Sequence, residues 1–565
     1  MLRNHPVFLF FLFTPLLFPW RLDAQSIPVG DLREEQIRIQ QLMNDSLRVS
    51  SFTNRPVWSH IYDAYMNPVS GQSGWWNRKL EIAEEEIGNP DLGYSIRAGF
   101  YEPVFRSTFN SQLPYGENNA AAWYGRGTTS EMAGGIYLTS DYITITLRPQ
   151  FVYQQNREFE DPRFLMRDSE GNIRYLPEGM GARVDLPYRF GPEPFWTTDA
   201  GQSSIRLHYK QIEAGVSSEP LWWGGAVRYP LMLSNNAAGV PHFFLGTREP
   251  VAVPYIGSFE FRFIGGWPQD SKWYDGPDDF RQPRFLNAVN VSFSPDLIPF
   301  LTLGFTRAFM EHVPNGVSFS DFTNVFTAKN TTSTPENTSS LDQSVTVYAR
   351  WLFPKAHAEI YGEFFREDRN YDFRDFLMQP HHNSGWSIGF QKLFFTSWPE
   401  FIKVNTEVTS LGTNRLDEIR WQTYFYTHSR VRQGQTNRGE VLGAAIGPGS
   451  NSVYLAVDGY KDDFKVGVFI QRLVENDHFH YRWNLENDDR PWGQGDKWNH
   501  RVNLNIGSNF LWGPGPFYVQ GKLVWSKAYN YGRFDYGETA GWDWDNLEFH
   551  DVTNIQIQLG VRYVF

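Results

Sequence analysis

Three stretches of this 565-residue chain concentrate side chains that could hold a sugar. Trp123-Tyr124-Gly125-Arg126-Gly127 places a ring and a guanidinium among glycines, so the backbone can approach a ligand closely while Trp123 stacks and Arg126 supplies a fixed charge. Leu221 to Phe243 carries Trp222, Trp223, Arg228, Asn235, Asn236 and His242 on a stretch articulated by glycine and proline. Tyr426-Thr427-His428-Ser429 is followed by Arg430, Arg432, Gln433, Gly434, Asn437 and Arg438, then by Gly443 to Asn451. Trp rings stack on pyranose faces, and Asn and Arg offer paired hydrogen bonds to hydroxyls. The same residues could instead pack and turn the backbone inside a crowded lumen. Trp123, Arg126, Trp222, Trp223, Arg228, Asn235, Asn236 and His242 are therefore the candidate polysaccharide-binding residues.

Other chemistry is poorly supported. There is no Gly-x-Ser-x-Gly elbow, no His-Glu-x-x-His helix and no P-loop. His381-His382 and His478-Phe479-His480 read as polar surface rather than metal ligands. Asp278-Asp279 and Asp543-Trp544-Asp545 lack the regular donor spacing of a calcium loop. No metal, no cofactor and no enzymatic activity is expected.

The elements that must position these stretches are strands. In the last dozen residues apolar side chains fall on every odd position from Ile555 to Phe565, with Asn554, Gln556, Gln558, Gly560 and Arg562 between them. A strand alternates its faces, so this one has a greasy side and a wet side. Ending on an aromatic, it resembles the C-terminal strand by which outer-membrane barrels are recognised by the barrel-insertion machinery. Similar alternation recurs near 94–103, 131–139, 142–153, 203–209, 211–218, 258–266, 286–294, 299–309, 342–353, 356–366, 385–395, 401–410, 417–427, 451–460, 465–474, 499–510, 516–527 and 554–565. That makes 18 strands, an even number as a single-chain bacterial barrel requires. Long polar stretches near 154–202, 219–257, 310–341, 367–384, 428–450 and 475–498 read as outer loops, with 330–340 a surface loop by composition. The predicted fold is an all-β transmembrane antiparallel barrel of about 18 strands, residues 91–565, contacting outer-membrane lipid.

Ahead of it, Asp31 to Met43 reads as a short amphipathic helix and Asn77 to Ile87 as a second one. Residues 25–90 would form an N-terminal helical segment at the periplasmic side or in the barrel mouth. Arg3 and His5 precede an apolar run from Val7 to Trp20 that Pro15 and Pro19 interrupt, and Leu22-Asp23-Ala24 offers a cleavage site. Residues 1–24 are thus expected to be a signal peptide. The chain has no cysteine, so neither a disulfide nor a lipidated cysteine is possible. Aromatic residues make up 17%, with 21 Trp, 28 Tyr and 46 Phe, which suits membrane-interface girdles and sugar stacking alike. A formal net charge of −12 argues against nucleic acid as a partner, because phosphate binding needs a basic face.

Taken together, the motifs carry a family resemblance. Leu231-Met232-Leu233-Ser234-Asn235-Asn236-Ala237-Ala238-Gly239-Val240-Pro241-His242 resembles the Leu-Ser-Asn-Asn-Ala…Pro-His signature of the capsule-assembly Wzi family, with Trp222-Trp223-Gly224 ahead of it. Trp123 to Gly127 is similar to that family's Trp-x-Gly-(Lys/Arg)-Gly element. Asp185 to Gly191, Gly201-Gln202-Ser203 and the Tyr-Thr-His at Tyr426 fit the form of Bacteroidetes-type members. The resemblance implies a barrel of about eighteen strands, a helical element closing its periplasmic side, and a role in attaching capsular or exported polysaccharide to the cell surface. The alternative expectation is an outer-membrane channel for oligosaccharides or other polar solutes.

Overall fold

The computed structural model describes residues 25–44, 49–66, 74–80, 83–87, 96–160, 164–167, 173–176, 184–274, 281–326, 341–367, 373–412, 420, 422, 424–478, 501–531 and 551–565. The signal segment, the 330–340 loop, Asp278, Asp279, His480, Asp543 and Asp545 lie outside the described residues.

Eighteen antiparallel strands close into one barrel. They are β1 Arg97–Asn110, β2 Gly127–Thr139, β3 Ile143–Leu147 continued by Gln150–Gln154, β4 Phe195–Asp199 continued by Ser204–Tyr209, β5 Ile212–Ser217, and β6 His242–Thr247 continued by Val251–Val253. Then follow β7 Gly257–Gly266, β8 Arg284–Pro295, β9 Leu301–His312, β10 Asp342–Phe353, β11 Ala358–Glu367 and β12 Ser384–Phe395. The wall ends with β13 Phe401–Ser410, β14 Asn451–Lys461, β15 Phe464–Glu475, β16 Arg501–Trp512, β17 Phe517–Tyr529 and β18 Val552–Tyr563. Closure is by β18 on β1, with Gln556 opposite Asn110 and Arg562 opposite Val104, so no free edge spans the membrane.

The alternation works as expected in β18. Ile555, Ile557, Leu559 and Val561 are exposed on the outer wall, while Asn554 and Gln556 are buried and bond Asn110 in the lumen. Aromatics ring the outer wall at one end, where Phe517 lies 5.0 Å from Tyr563 and Phe464 lies 6.2 Å from Trp512. Connections at that end are short, such as 210–211, 254–256, 462–463 and 513–516, and those at the other end are long. Short turns mark the periplasmic end of such barrels.

Two strand assignments differ from the sequence reading and cancel in the count. β6 lies in what reads as one polar stretch from 219 to 257. Its burial alternates cleanly, with His242 and Phe244 inside and Leu245 outside, but Pro241 and the glycines before it mask the pattern. Conversely, no strand forms in the described part of 417–427. Tyr424–Thr427 is a turn with Tyr426 at φ 64, and its apolar residues pack a lumenal core that fills both sides of the segment.

The N-terminal segment is inside the barrel at the short-turn end. Helix α1, Leu32–Met43, starts at Asp31, whose side chain accepts from the Arg33 N–H. Nearly every residue of α1 is buried, charged ones included, because the lumen supplies partners on all sides. Arg33 pairs with Glu102, Arg38 with Glu359 at 2.7 Å, and Glu35 with Lys465 at 2.8 Å. Burial would raise the Glu35 carboxyl, but Lys403 and Lys465 together hold it well below the usual carboxylate range. A second helix, α2, spans Ser59–Tyr65. The helix expected over Asn77–Ile87 is instead a 3₁₀ turn at Trp75–Asn77 and a strand at Ala83–Glu86. That strand pairs Arg97–Phe100 of β1, the part of β1 that β18 leaves uncovered. Satisfying an exposed edge outweighs the weak helix preference of this stretch.

Candidate functional site

The β1–β2 and β5–β6 loops fold back into the lumen and meet the N-terminal segment. The β5–β6 loop is held by carboxylates on the wall. Glu363 accepts the Ala226 and Leu231 N–H groups at 2.9 Å each, and Glu407 accepts those of Val227, Arg228 and Tyr229 at 3.0, 3.0 and 2.7 Å. Hydrogen bonds to a buried carboxylate are among the strongest a loop can make. Gly224 is required there: its φ is +114, and a Cβ would sit 2.2 Å from Glu363 Oε1. Across the lumen, Trp222 and Trp223 pair in antiparallel register with Arg55 and Asn54 of the N-terminal segment.

This arrangement separates the eight sequence candidates. The Arg55 guanidinium lies 4.4 Å over the Trp222 ring, and Trp222 Nε1 donates to Ala226 O at 3.1 Å. Trp223 is only 1% exposed, within a core that includes Leu231 and Tyr426. Arg228 pairs with Glu117, donates to Tyr229 Oη at 2.8 Å and covers Tyr454 at 4.1 Å. Asn235 accepts the Ala120 N–H at 2.7 Å through its backbone carbonyl. Asn236 donates to Val441 O at 3.0 Å. His242 is buried, with Nδ1 2.7 Å from Val240 O. Arg126 donates to Ser111 O and Glu158 O at 3.1 and 2.6 Å. These seven are engaged within their own segment, with another loop or with the N-terminal segment. Trp123 lines an open cleft.

That cleft, about 400 Å³, lies at the long-loop end, where the start of β4 meets the loops around 120, 190, 270 and 438. Its rings are Trp123, Phe190, Phe195, Trp196 and Trp273. Trp123 lies 5.1 Å from Phe190, Trp273 is 46% exposed, and Trp196, 69% exposed, lies 5.0 Å from Tyr153. Gly191 holds Trp273 in place: its φ is +75, and a Cβ would come within 2.3 Å of that indole. Ser271 anchors the same loop by donating its N–H to Asp185 at 2.6 Å, and its hydroxyl accepts the Trp273 N–H at 3.2 Å.

Polar groups converge on these rings. Arg438 Nε donates to Gln269 Oε1 at 2.9 Å, and its guanidinium pairs with Asp199. Asn437 accepts the Gln269 N–H at 2.9 Å. Glu440 completes the floor; burial, reinforced by the nearby Asp185 charge, pushes its carboxyl up to about 8, so at neutral pH it carries a proton and can donate. Asn437, Arg438 and Phe190 belong to segments that stand out in the sequence. Trp196, Trp273, Gln269 and Glu440 do not, since isolated Trp residues in polar loops carry no periodic signal.

The fold and the cleft define an outer-membrane β-barrel with an occluded lumen and an aromatic, polar cleft at its loop end. The family model for capsule assembly protein Wzi matches residues 109–478, and the chain belongs to that family. Among solved structures, Wzi of Escherichia coli, described as an outer-membrane protein involved in group 1 capsule assembly and a carbohydrate-binding β-barrel, is similar over 96% of this chain and 100% of that one, with 12% identity and a TM-score of 0.59. OprD from Pseudomonas aeruginosa is similar over 82% of this chain and 92% of that one, with 8% identity and a TM-score of 0.37. No curated protein sequence matches the chain.

Proposed function

We propose that the protein binds a capsular or exported polysaccharide in the cleft around Trp273 and helps attach it at the cell surface, without catalysing a reaction. The observation that carries this reading is the cleft itself: an exposed Trp ring beside fixed Gln269, Asn437, Arg438 and Glu440 side chains, in a member of a capsule-assembly family. The likeness to a barrel described as carbohydrate-binding supports it. Rings bind pyranose faces, the polar groups read hydroxyls, and a repeating ligand multiplies a weak single contact through avidity.

In this reading residues 1–24 are removed on export, residues 25–90 close the periplasmic opening, and residues 91–565 form the barrel. The ion pairs between α1 and the wall favour a closed lumen over the channel alternative. The test is binding of purified surface polysaccharide fragments to the intact barrel in detergent, measured by calorimetry. Saturable heat is expected, with Trp273→Ala and Trp196→Ala each weakening binding about 5–30-fold in Kd at unchanged melting temperature. Full binding in both variants would move the site elsewhere.

A further inference from the structure

A second site lies where the N-terminal segment, the barrel wall and both inward loops meet. A cavity of about 130 Å³ is walled by Pro28 to Asp31, the wall residues Arg106, Glu131, Arg148 and Arg562, and Asn118 and Asn235 of the two loops. On a comparable measure one water needs about 10–15 Å³, so the space holds a small polyatomic ion together with several waters.

Three guanidiniums face two carboxylates here, and both carboxylates are already engaged. Asp31 accepts from Arg562 at 2.6 Å and from Arg33 at 3.2 Å. Burial would raise the Asp31 carboxyl, but Arg562, Arg33 and Arg148 hold it well below the usual range, so it stays ionised and paired. Glu131 accepts from Arg106 at 3.0 Å, from Tyr124 Oη at 2.5 Å and from Gln150 at 2.7 Å. Arg148 is the exception. It is buried to 9% exposure, it lies 5.7 Å over the Tyr101 ring, and its guanidinium makes no hydrogen bond or ion pair with a described residue. Its counter-charges, Asp31 and Glu102, act at a distance and are engaged by Arg562 and Arg33, so an anion in direct contact with this cation is favourable. Arg106 Nε is likewise an unpaired buried donor, while Asn118 Oδ1 and Asn235 Oδ1 are unpaired buried acceptors. A ligand that satisfies all four carries negative charge, several acceptor oxygens and at least one hydroxyl.

We propose that this cavity is a binding site for a small hydroxylated oxyanion of the hydrogen-phosphate class, held by Arg148 and Arg106. The ion neutralises Arg148 and ties the N-terminal segment to the wall and to both loops. It therefore stabilises the closed lumen, independently of any glycan at the outer cleft.

The experiment measures the melting temperature of the intact barrel in detergent against phosphate, sulfate or chloride at matched ionic strength. Phosphate should give a saturable rise of about 2 °C or more, larger than that from sulfate, which lacks a hydroxyl at neutral pH. Arg148→Gln should abolish the rise, and Arg148→Lys should weaken it. No phosphate-specific rise in the wild type, or an equal rise in Arg148→Gln, overturns the proposal. Crystals grown in arsenate decide the matter if the Gln variant does not fold: an anomalous peak beside the Arg148 guanidinium supports the site, and its absence there overturns it.

Discussion

Trp273 and Trp223 show how one residue type takes two roles in the same molecule. Trp273 stands on Gly191 with its ring in the cleft, whereas Trp223 is sealed in the lumenal core. Trp273→Ala should cost about 1–2 kcal/mol of glycan binding, roughly 5–30-fold in Kd, and leave the melting temperature unchanged. Trp223→Ala should instead cost about 3–5 kcal/mol of stability, read as a lower melting temperature and a smaller heat-modifiable fraction. Equal melting temperatures for Trp223→Ala and wild type would show that its burial does not matter. Glu440 makes a pH-dependent prediction. Its carboxyl is raised from 4.5 in a free chain to about 8 in the fold, so the folded state binds the extra proton between those values. Stability from this group is complete below about pH 4.5 and is lost as pH rises through 8. Melting curves between pH 5 and 9 should therefore slope downward, and Glu440→Gln should flatten that slope. An unchanged slope in the variant would assign the pH response to other groups.

At the scale of the element, β18 is the closing strand. Leu559 is exposed on its outer face near mid-strand. Leu559→Arg should cost about 2–4 kcal/mol if it sits at the bilayer midplane. Phe565 lies 6.3 Å from Phe100 and 5.4 Å from Tyr563, so Phe565→Asp removes aromatic contacts at the short-turn end. Assembly assays should show less heat-modifiable barrel for Phe565→Asp, and a normal yield would argue that the terminal aromatic is dispensable. The Ala83–Glu86 strand makes the same point from the other side. An edge left open by β18 recruits the nearest extended segment, whatever that segment's own preference.

Across the whole molecule, closure depends on pieces remote in sequence. Lys403 and Lys465, on β13 and β15, hold Glu35 of α1, and Arg562, at the end of β18, holds Asp31. Planar-bilayer recordings of the intact protein should show little steady conductance, and removal of residues 26–87 should raise it. Large, steady currents from the intact protein would favour the channel reading.

The sequence by itself determined the barrel, because lipid outside and polar lumen inside impose a period of two on every strand, legible in Ile555 to Phe565 without any partner. It also marked the Asn235–Asn236 and Trp222–Trp223 segments as special, since their residue types and glycines are unusual for a plain loop. Tertiary structure alone decided what those segments do. Whether a Trp stacks on a sugar or on Arg55 depends on which loop folds inward, and that follows from Glu363 and Glu407, well over a hundred residues away. The cleft has the same origin: Trp196, Trp273 and Glu440 are ordinary in their own neighbourhoods and become a site only when β4 and two distant loops meet at the rim.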